Sequence, residues 1–245
     1  MLTTILLYLA ASLIGLCAGT WIDHAASAIP AHRSLRSLPA CPQCATPWRG
    51  LALIPLVGPL LARRCGECAA PIDWLRPLTE ATTGILFALA LWRSGPSVEF
   101  AATVVFSVVL LVILRIDWRH HLIFQNTILV GIMIALAYAG TASRRADALL
   151  WSSVGAIAAA ALFLFLYGLA LAIYKRRALG FGDVLLAALI GAMTGPDTAM
   201  ALLIGMLLGA GGGLLLVALR VRTMRDYIPY GAYLCAGTII TLLVR

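Results

Sequence analysis

The stretch Phe100-Ala-Ala-Thr-Val-Val-Phe-Ser-Val-Val-Leu-Leu-Val-Ile-Leu-Arg-Ile-Asp117 decides the fold. It approaches the roughly 20 residues that a helix needs to cross a bilayer, and it closes on a carboxylate. It belongs to one of eight apolar runs, at about 2–22, 76–93, 99–116, 125–141, 147–174, 183–194, 197–219 and 229–244. The chain is 62% hydrophobic and 11% charged, with a mean hydropathy of +0.98. A soluble protein of 245 residues could not hide that much apolar surface. The expected fold is therefore all-α and polytopic, with about eight transmembrane helices. The runs at 183–194 and 229–244 are short, so they tilt little or extend through their flanking loops. Met1 to Thr20 has the length of a signal peptide. It lacks a basic residue ahead of its apolar core and a small-x-small cleavage site, and Leu16-Cys17 does not fit a lipoprotein site. It reads as a retained first membrane helix.

A net charge of +8 would fit a nucleic-acid binder, but here the basic residues lie in short loops between apolar runs and act as topology signals. No nucleic-acid partner is expected. With the amino terminus outside, the inner loops carry Arg33, Arg36, Arg49, Arg63, Arg64, Arg76, Arg115, Arg119, Lys175, Arg176, Arg177, Arg220, Arg222 and Arg225, which is 14 of the 18 basic residues. Arg93, Arg144, Arg145 and Arg245 remain outside. In that orientation Asp117 and Asp183 both fall on the cytoplasmic side.

One module between the first two apolar runs, roughly 23–75, is expected to lie outside the bilayer on the cytoplasmic side. It holds Cys41-Pro-Gln-Cys44 and Cys65-Gly-Glu-Cys68. Each pair can form a knuckle, and four thiolates close a tetrahedral zinc site. A region this short buries little core, so a structural zinc would supply its folding energy. Redox pairs or disulfides are the alternative, and a reducing cytoplasm disfavours disulfides. Cys17 and Cys235 lie in apolar runs and read as buried small hydrophobes. The expected division is 1–22 as first helix, 23–75 as four-cysteine zinc-binding module and 76–245 as the membrane core.

Gly180-Phe181-Gly182-Asp183 puts a second carboxylate at the mouth of an apolar run. An acid so near lipid is costly and functional by default, and the glycines, lacking Cβ atoms, let another backbone approach. Two aspartates can hydrolyse a peptide bond when one is protonated and the other ionised, a division that two carboxylates sharing one site create for themselves. Each acid also has a plainer reading: Asp117 as a salt-bridged helix end beside Arg115 and Arg119, Asp183 as an N-cap.

Taken together, these residues resemble the type IV prepilin peptidases, membrane aspartyl proteases of the GxGD class. The resemblance covers nearly the whole chain. It is carried by the paired CxxC motifs, Cys65-Gly-Glu-Cys68-Ala-Ala-Pro-Ile leading to Pro77-Leu78-Thr79-Glu80, then Ile116-Asp117-Trp118, Gly180-Phe181-Gly182-Asp183 and Ile228-Pro229-Tyr230-Gly231. It implies Asp117 and Asp183 as catalytic aspartates and four zinc-binding cysteines. It also implies, in many members, methylation of the new amino terminus by S-adenosylmethionine. The chain departs from the family where Ile123-Phe124 replaces an Ile/Leu-Pro pair, and where Thr20-Trp21-Ile22-Asp23-His24 stands for an Asn-containing stretch.

Gly180 and Gly182 are expected to let substrate lie close to Asp183. Glu80 is a candidate for the substrate path or for holding the substrate's amino terminus, against a plain helix-start carboxylate favoured by the dipole. His24, His32, His120 and His121 lack metal-ligand spacing. Gly205, Gly209 and Gly213 make one face for close helix packing. The function expected is an endopeptidase that removes leaders from type IV prepilins or type II secretion pseudopilins. The competing readings are a membrane scaffold or ion-coupled transporter, and an inactive relative of the peptidase.

Overall fold

In lipid a backbone segment must satisfy its own hydrogen bonds, and a helix does so internally. The computed structural model describes residues 2–175, 180–219 and 229–245. Arg176, Arg177, Arg220, Arg222, Arg225 and Ile228, used in the sequence reading, lie outside the described residues. The helices are α1 (Leu2–Ala28), α2 (Val57–Leu61), α3 (Leu75–Ser94), α4 (Val98–His120), α5 (Gln125–Ala139), α6 (Arg145–Tyr174), α7 (Phe181–Thr194), α8 (Thr198–Ala218) and α9 (Tyr230–Val244), with 3-10 turns at Gly50–Leu53 and Gly195–Asp197. Among the described residues β-pairing is confined to two isolated bridges. Among the described residues four helical stretches are long and apolar enough to cross a membrane: Leu2–Ala28, Val98–His120, Arg145–Ile173 and Phe181–Leu216, the last joining α7 to α8. The protein is a membrane protein built from helices.

Two boundaries differ from expectation for local reasons. The first helix runs six residues past Ile22 to Ala28, because Ala25, Ala26 and Ala28 favour helix and no breaker intervenes before Pro30. The seventh starts at Phe181 with Gly180 as its N-cap, two residues before the apolar run expected from 183. Asp183 is thus the third helical residue, and reaches back to the Gly180 N–H at 3.1 Å.

The chain divides into two compact units, Met1–Val108 and Val109–Arg245. In the first, α1 packs on α3 through Gly15 and Gly19. A Cβ on Gly15 would lie 2.7 Å from the Thr83 carbonyl oxygen, and one on Gly19 would lie 2.5 Å from Glu80 Cα. Small residues four apart let helix backbones touch. Ala11, Phe87 and Leu91 form a buried cluster with Tyr8, Phe100 and Val104 against it.

In the second unit α7 packs against α5, α6 and α9, and Leu186, Ala187, Leu189 and Ile190 are fully buried. The α6–α7 crossing is made where Gly191 meets the Gly155 backbone. Gly205 and Gly209 turn to Leu234 and Tyr230 of α9, as the packing reading requires. On α4, Leu110, Ile113 and Asp117 recur at helical spacing, and each is at most 2% exposed. The stripe that buries the apolar residues therefore carries the carboxylate inward with them.

Candidate active site

Asp117 stands in the last turn of α4 and Asp183 in the first turn of α7. Both lie in the second unit and are nearly inaccessible, at 1% and 4% exposed. Each is oriented by main-chain amides at a helix start. Ala232 donates its N–H to Asp117 Oδ2 at 2.9 Å, with the Gly231 amide bearing on the same carboxylate. Gly180 donates to Asp183 Oδ2 at 3.1 Å. The first turns of α9 and α7 thus supply otherwise unpaired N–H groups and the positive ends of their dipoles to the two acids. Cys235 of α9 is fully buried, as its apolar setting leads one to expect, whereas Cys17, expected to be buried likewise, is exposed on α1.

The capping reading of Asp183 is correct in part, since its carboxylate does tie down the helix start, but from the third helical position. Gly180 and Gly182 differ from one another. Among the described residues a Cβ on Gly180 would lie 3.3 Å from Asp183 Oδ2, a tight contact that the carboxylate would have to yield to, and 3.9 Å from the Gly182 N. One on Gly182 would lie 2.9 Å from Ile123 Cβ. The space beside Gly182 is therefore filled by the loop after α4, while Gly180 is exposed.

Ile123 also reaches Gly231, where a Cβ would lie 3.1 Å from Ile123 Cδ1 and 3.0 Å from Asp117 Oδ2. One side chain thus links the starts of α7 and α9 beside the acids. Phe124 takes φ −86° and ψ 123°, close to the extended conformation a proline would impose. Sequence reasoning did not assign roles to Ile123, Gly231 or Ala232. The available signal was a glycine at the threshold of the last apolar run, in Pro229-Tyr230-Gly231. Aromatic rings close the surroundings, with Phe163 against Tyr230, Tyr167 against Phe181 and Trp118 against Tyr233 at centroid distances of 6.3–6.5 Å.

The first unit holds a second constellation. Cys41, Cys44, Cys65 and Cys68 put their sulfurs within 4.8 Å of one another. Cys41–Cys68 and Cys44–Cys65 are each 3.7 Å apart, far from the ~2.05 Å of a disulfide. A tetrahedral ion with metal–sulfur bonds of about 2.3 Å spaces its sulfurs by about 3.8 Å, so the four thiols fit a metal ion. Each pair sits on the same hairpin. Cys41 N–H donates to Thr46 O and Ala45 N–H to Cys41 O, and Cys65 and Ala69 repeat the pattern with Ala70 and Cys65.

Glu80 lies in the first unit too and is fully buried. It pairs with Arg76 at 3.1 Å and accepts from Thr20 Oγ1 at 2.8 Å and from Leu56 N–H at 2.6 Å. These bonds tie α1, α3 and the chain before α2 together and account for its burial without a ligand. His24 is 3.4 Å from the Ser37 hydroxyl and belongs to no metal-ligand group among the described residues.

Residues 13–94 match the model of the bacterial peptidase A24 N-terminal domain, which covers the cysteine module and Glu80. Residues 104–214 match that of the type IV leader peptidase family, which covers both aspartates. A prepilin leader peptidase/N-methyltransferase of Bacillus subtilis is 32% identical over 94% of this chain and 92% of its own length. Proteins of the same name from Pseudomonas putida and Pseudomonas aeruginosa are each 30% identical, over 84% and 83% of this chain and 72% and 70% of their own lengths. No solved structure matches it significantly. The chain belongs to the type IV leader peptidase family.

Proposed function

We propose that the protein is a membrane aspartyl endopeptidase that removes the leader from type IV prepilins or type II secretion pseudopilins, with Asp117 and Asp183 as its catalytic pair. The observation that carries this reading is the shared design of the two acids: both buried in one unit, each held through Oδ2 by an amide at a helix start. In the reaction the ionised carboxylate takes a proton from a water. The water oxygen bonds to the scissile carbonyl carbon, and the protonated carboxyl donates to the carbonyl oxygen. Collapse of the diol breaks the C–N bond, and the proton taken from water goes to the leaving amine. No covalent intermediate is required. The substrate backbone would lie close to Asp183 at Gly180, which is exposed.

The reading extends to an eight-span topology with the aspartates on the cytoplasmic side of the bacterial inner membrane, supported by the charge bias of the loops. A prepilin's own apolar helix would lie in the bilayer beside the enzyme and bring the scissile bond to that edge. Residues 2–28 serve as first helix, 29–74 as four-cysteine module and 75–245 as peptidase core, the expected bounds shifted to the helix ends. Cys41, Cys44, Cys65 and Cys68 hold a structural zinc, whose charge stabilises four thiolates in a segment with little core of its own. A direct substrate role for Glu80 would require opening its bonds to Arg76, Thr20 and Leu56. Methylation of the new amino terminus is proposed from the relatives' name and needs S-adenosylmethionine. Crosslinking with a photoreactive analogue of that donor would locate its seat.

Asp117→Asn and Asp183→Asn test the mechanism, because an asparagine oxygen can keep the amide bond while losing the acid. Each is expected to abolish leader removal in membranes while the protein stays folded. Normal processing by either variant overturns the pair. Purified protein should carry one zinc per chain; less than about half an equivalent with reduced thiols counts against the four-thiolate site.

A further inference from the structure

Gly50-Leu-Ala-Leu-Ile-Pro-Leu-Val-Gly-Pro-Leu-Leu-Ala62 contains no polar side chain, although it lies within the module read as standing outside the bilayer. The structure folds it into the 3-10 turn and α2 and leaves Leu51, Leu60 and Leu61 63%, 60% and 69% exposed. A water-facing module rarely shows so continuous an apolar surface.

The segment is built, not loose. Leu56 takes φ +62° and donates its N–H to Glu80 Oε2 at 2.6 Å, and Arg76 Nη2 donates to the Ala52 carbonyl at 3.0 Å. A Cβ on Gly58 would lie 2.6 Å from the Leu51 carbonyl oxygen, so the two halves fold tightly on each other. The clasp also includes Thr20 of α1, eight residues and so about 12 Å before the helix end at Ala28. The segment therefore runs beside the α1–α3 pair, at the height where the apolar part of α1 ends. From there Leu56 enters an apolar groove of about 630 Å³ that continues past Leu16 and Ile85 to Trp92. Exposed Arg49 precedes the segment and exposed Arg63 and Arg64 follow it. Residues 29–74 carry five arginines against two acids, Glu67 and Asp73.

We propose that residues 50–62 form an interfacial hairpin seated in the headgroup–acyl boundary of a leaflet rich in anionic phospholipid. The leucines enter the acyl region, the flanking arginines meet phosphates, and the Arg76–Glu80 clasp fixes the depth. An apolar face bordered by basic residues is the pattern that binds in the plane of such an interface. The inference does not depend on the peptidase reading.

The test uses the full chain with its metal, in nanodiscs of phosphatidylethanolamine and phosphatidylglycerol with a trace of phospholipid bearing a diazirine in its acyl chain. After irradiation, adducts are mapped by mass spectrometry. Adducts on residues 51–61 are expected at yields like those on Ile85 and Trp92. They are expected to be lost in the double variant Leu60→Asp/Leu61→Asp, with metal content unchanged, and to fall when phosphatidylcholine replaces phosphatidylglycerol. Labelling of α3 without labelling of 51–61 in the wild-type chain overturns the proposal, whatever the variant does. So does crosslinking of 51–61 to a second copy of the chain or to another protein. Equal yields in phosphatidylcholine discs overturn the anionic-lipid part.

Discussion

The Ala232 N–H donates to Asp117 Oδ2 across 115 residues of sequence, which makes the start of α9 a support for an acid on α4. Gly231 is what lets them approach. A Cβ there would lie 3.0 Å from Asp117 Oδ2, 3.1 Å from Ile123 and 3.3 Å from Leu186, and Leu186 is fully buried and has no room to yield. Gly231→Ala should turn the carboxylate or shift the helix start. A misplacement of order 1 Å near the chemistry costs about 100-fold in rate. Leader removal in membranes is expected to fall by about that factor while the melting temperature stays near wild type. An unchanged rate would separate this carboxylate from the reaction.

Glu80 is expected to act on stability. Arg76 beside it is 2% exposed, and removing one partner of a buried pair leaves the other charge uncompensated, at a cost of about 3–5 kcal/mol. Glu80→Ala should therefore lower the unfolding free energy in detergent by several kcal/mol, and Glu80→Gln, which keeps acceptor capacity, by less. A raised KM for prepilin with unchanged thermal stability would assign Glu80 to the substrate instead.

The helices were legible because lipid leaves the backbone few alternatives, so the apolar runs around Phe100–Asp117 and at 197–219 map onto α4 and α8 almost residue for residue. The cysteine cluster was legible because CxxC spacing is itself a geometric statement. What escaped was carried by backbone or by absent side chains. The amides of Gly231 and Ala232 have no side-chain signature, and the meeting of Gly155 with Gly191 pairs single glycines from different helices. Residues 50–62 escaped for another reason: thirteen apolar residues interrupted by Pro55 and Pro59 are too short for a span and too broken for a regular helix.

The two knuckles share a strained feature that can be relieved. Ala45 and Ala69, each next after a cysteine, adopt φ +61° and +55°, where a Cβ costs about 1–2 kcal/mol. Each places its N–H on the carbonyl of the knuckle's first cysteine, so the conformation is needed. Ala45→Gly and Ala69→Gly should each stabilise the module by about 1 kcal/mol after the added freedom of glycine in the unfolded chain is subtracted. Slower loss of metal to a chelator at fixed temperature would register the gain, and faster loss would show that these methyl groups do needed packing.

The knuckles differ in one hydroxyl, and that difference sets a pH dependence. Cys44 Sγ lies 3.4 Å from Thr46 Oγ1. The hydroxyl, and then the amide of the same residue, hold the Cys44 thiol down to about 6 from its usual 9.0. At the matching place in the second knuckle stands Ala70. Its amide favours the Cys68 thiolate, but desolvation and the neighbouring thiols outweigh it and push Cys68 up to about 12. A metal ligand must be a thiolate, and protons compete less well for a thiol whose own pKa is depressed, so the bound metal survives to lower pH. Thr46→Val keeps the amide and removes the hydroxyl, so protons compete earlier and the midpoint of zinc release should move to higher pH. Ala70→Thr should move it to lower pH by giving Cys68 the same donor. A colorimetric zinc indicator read across a pH series measures both shifts, and a midpoint that neither variant moves would mean the hydroxyl does not hold the thiolate.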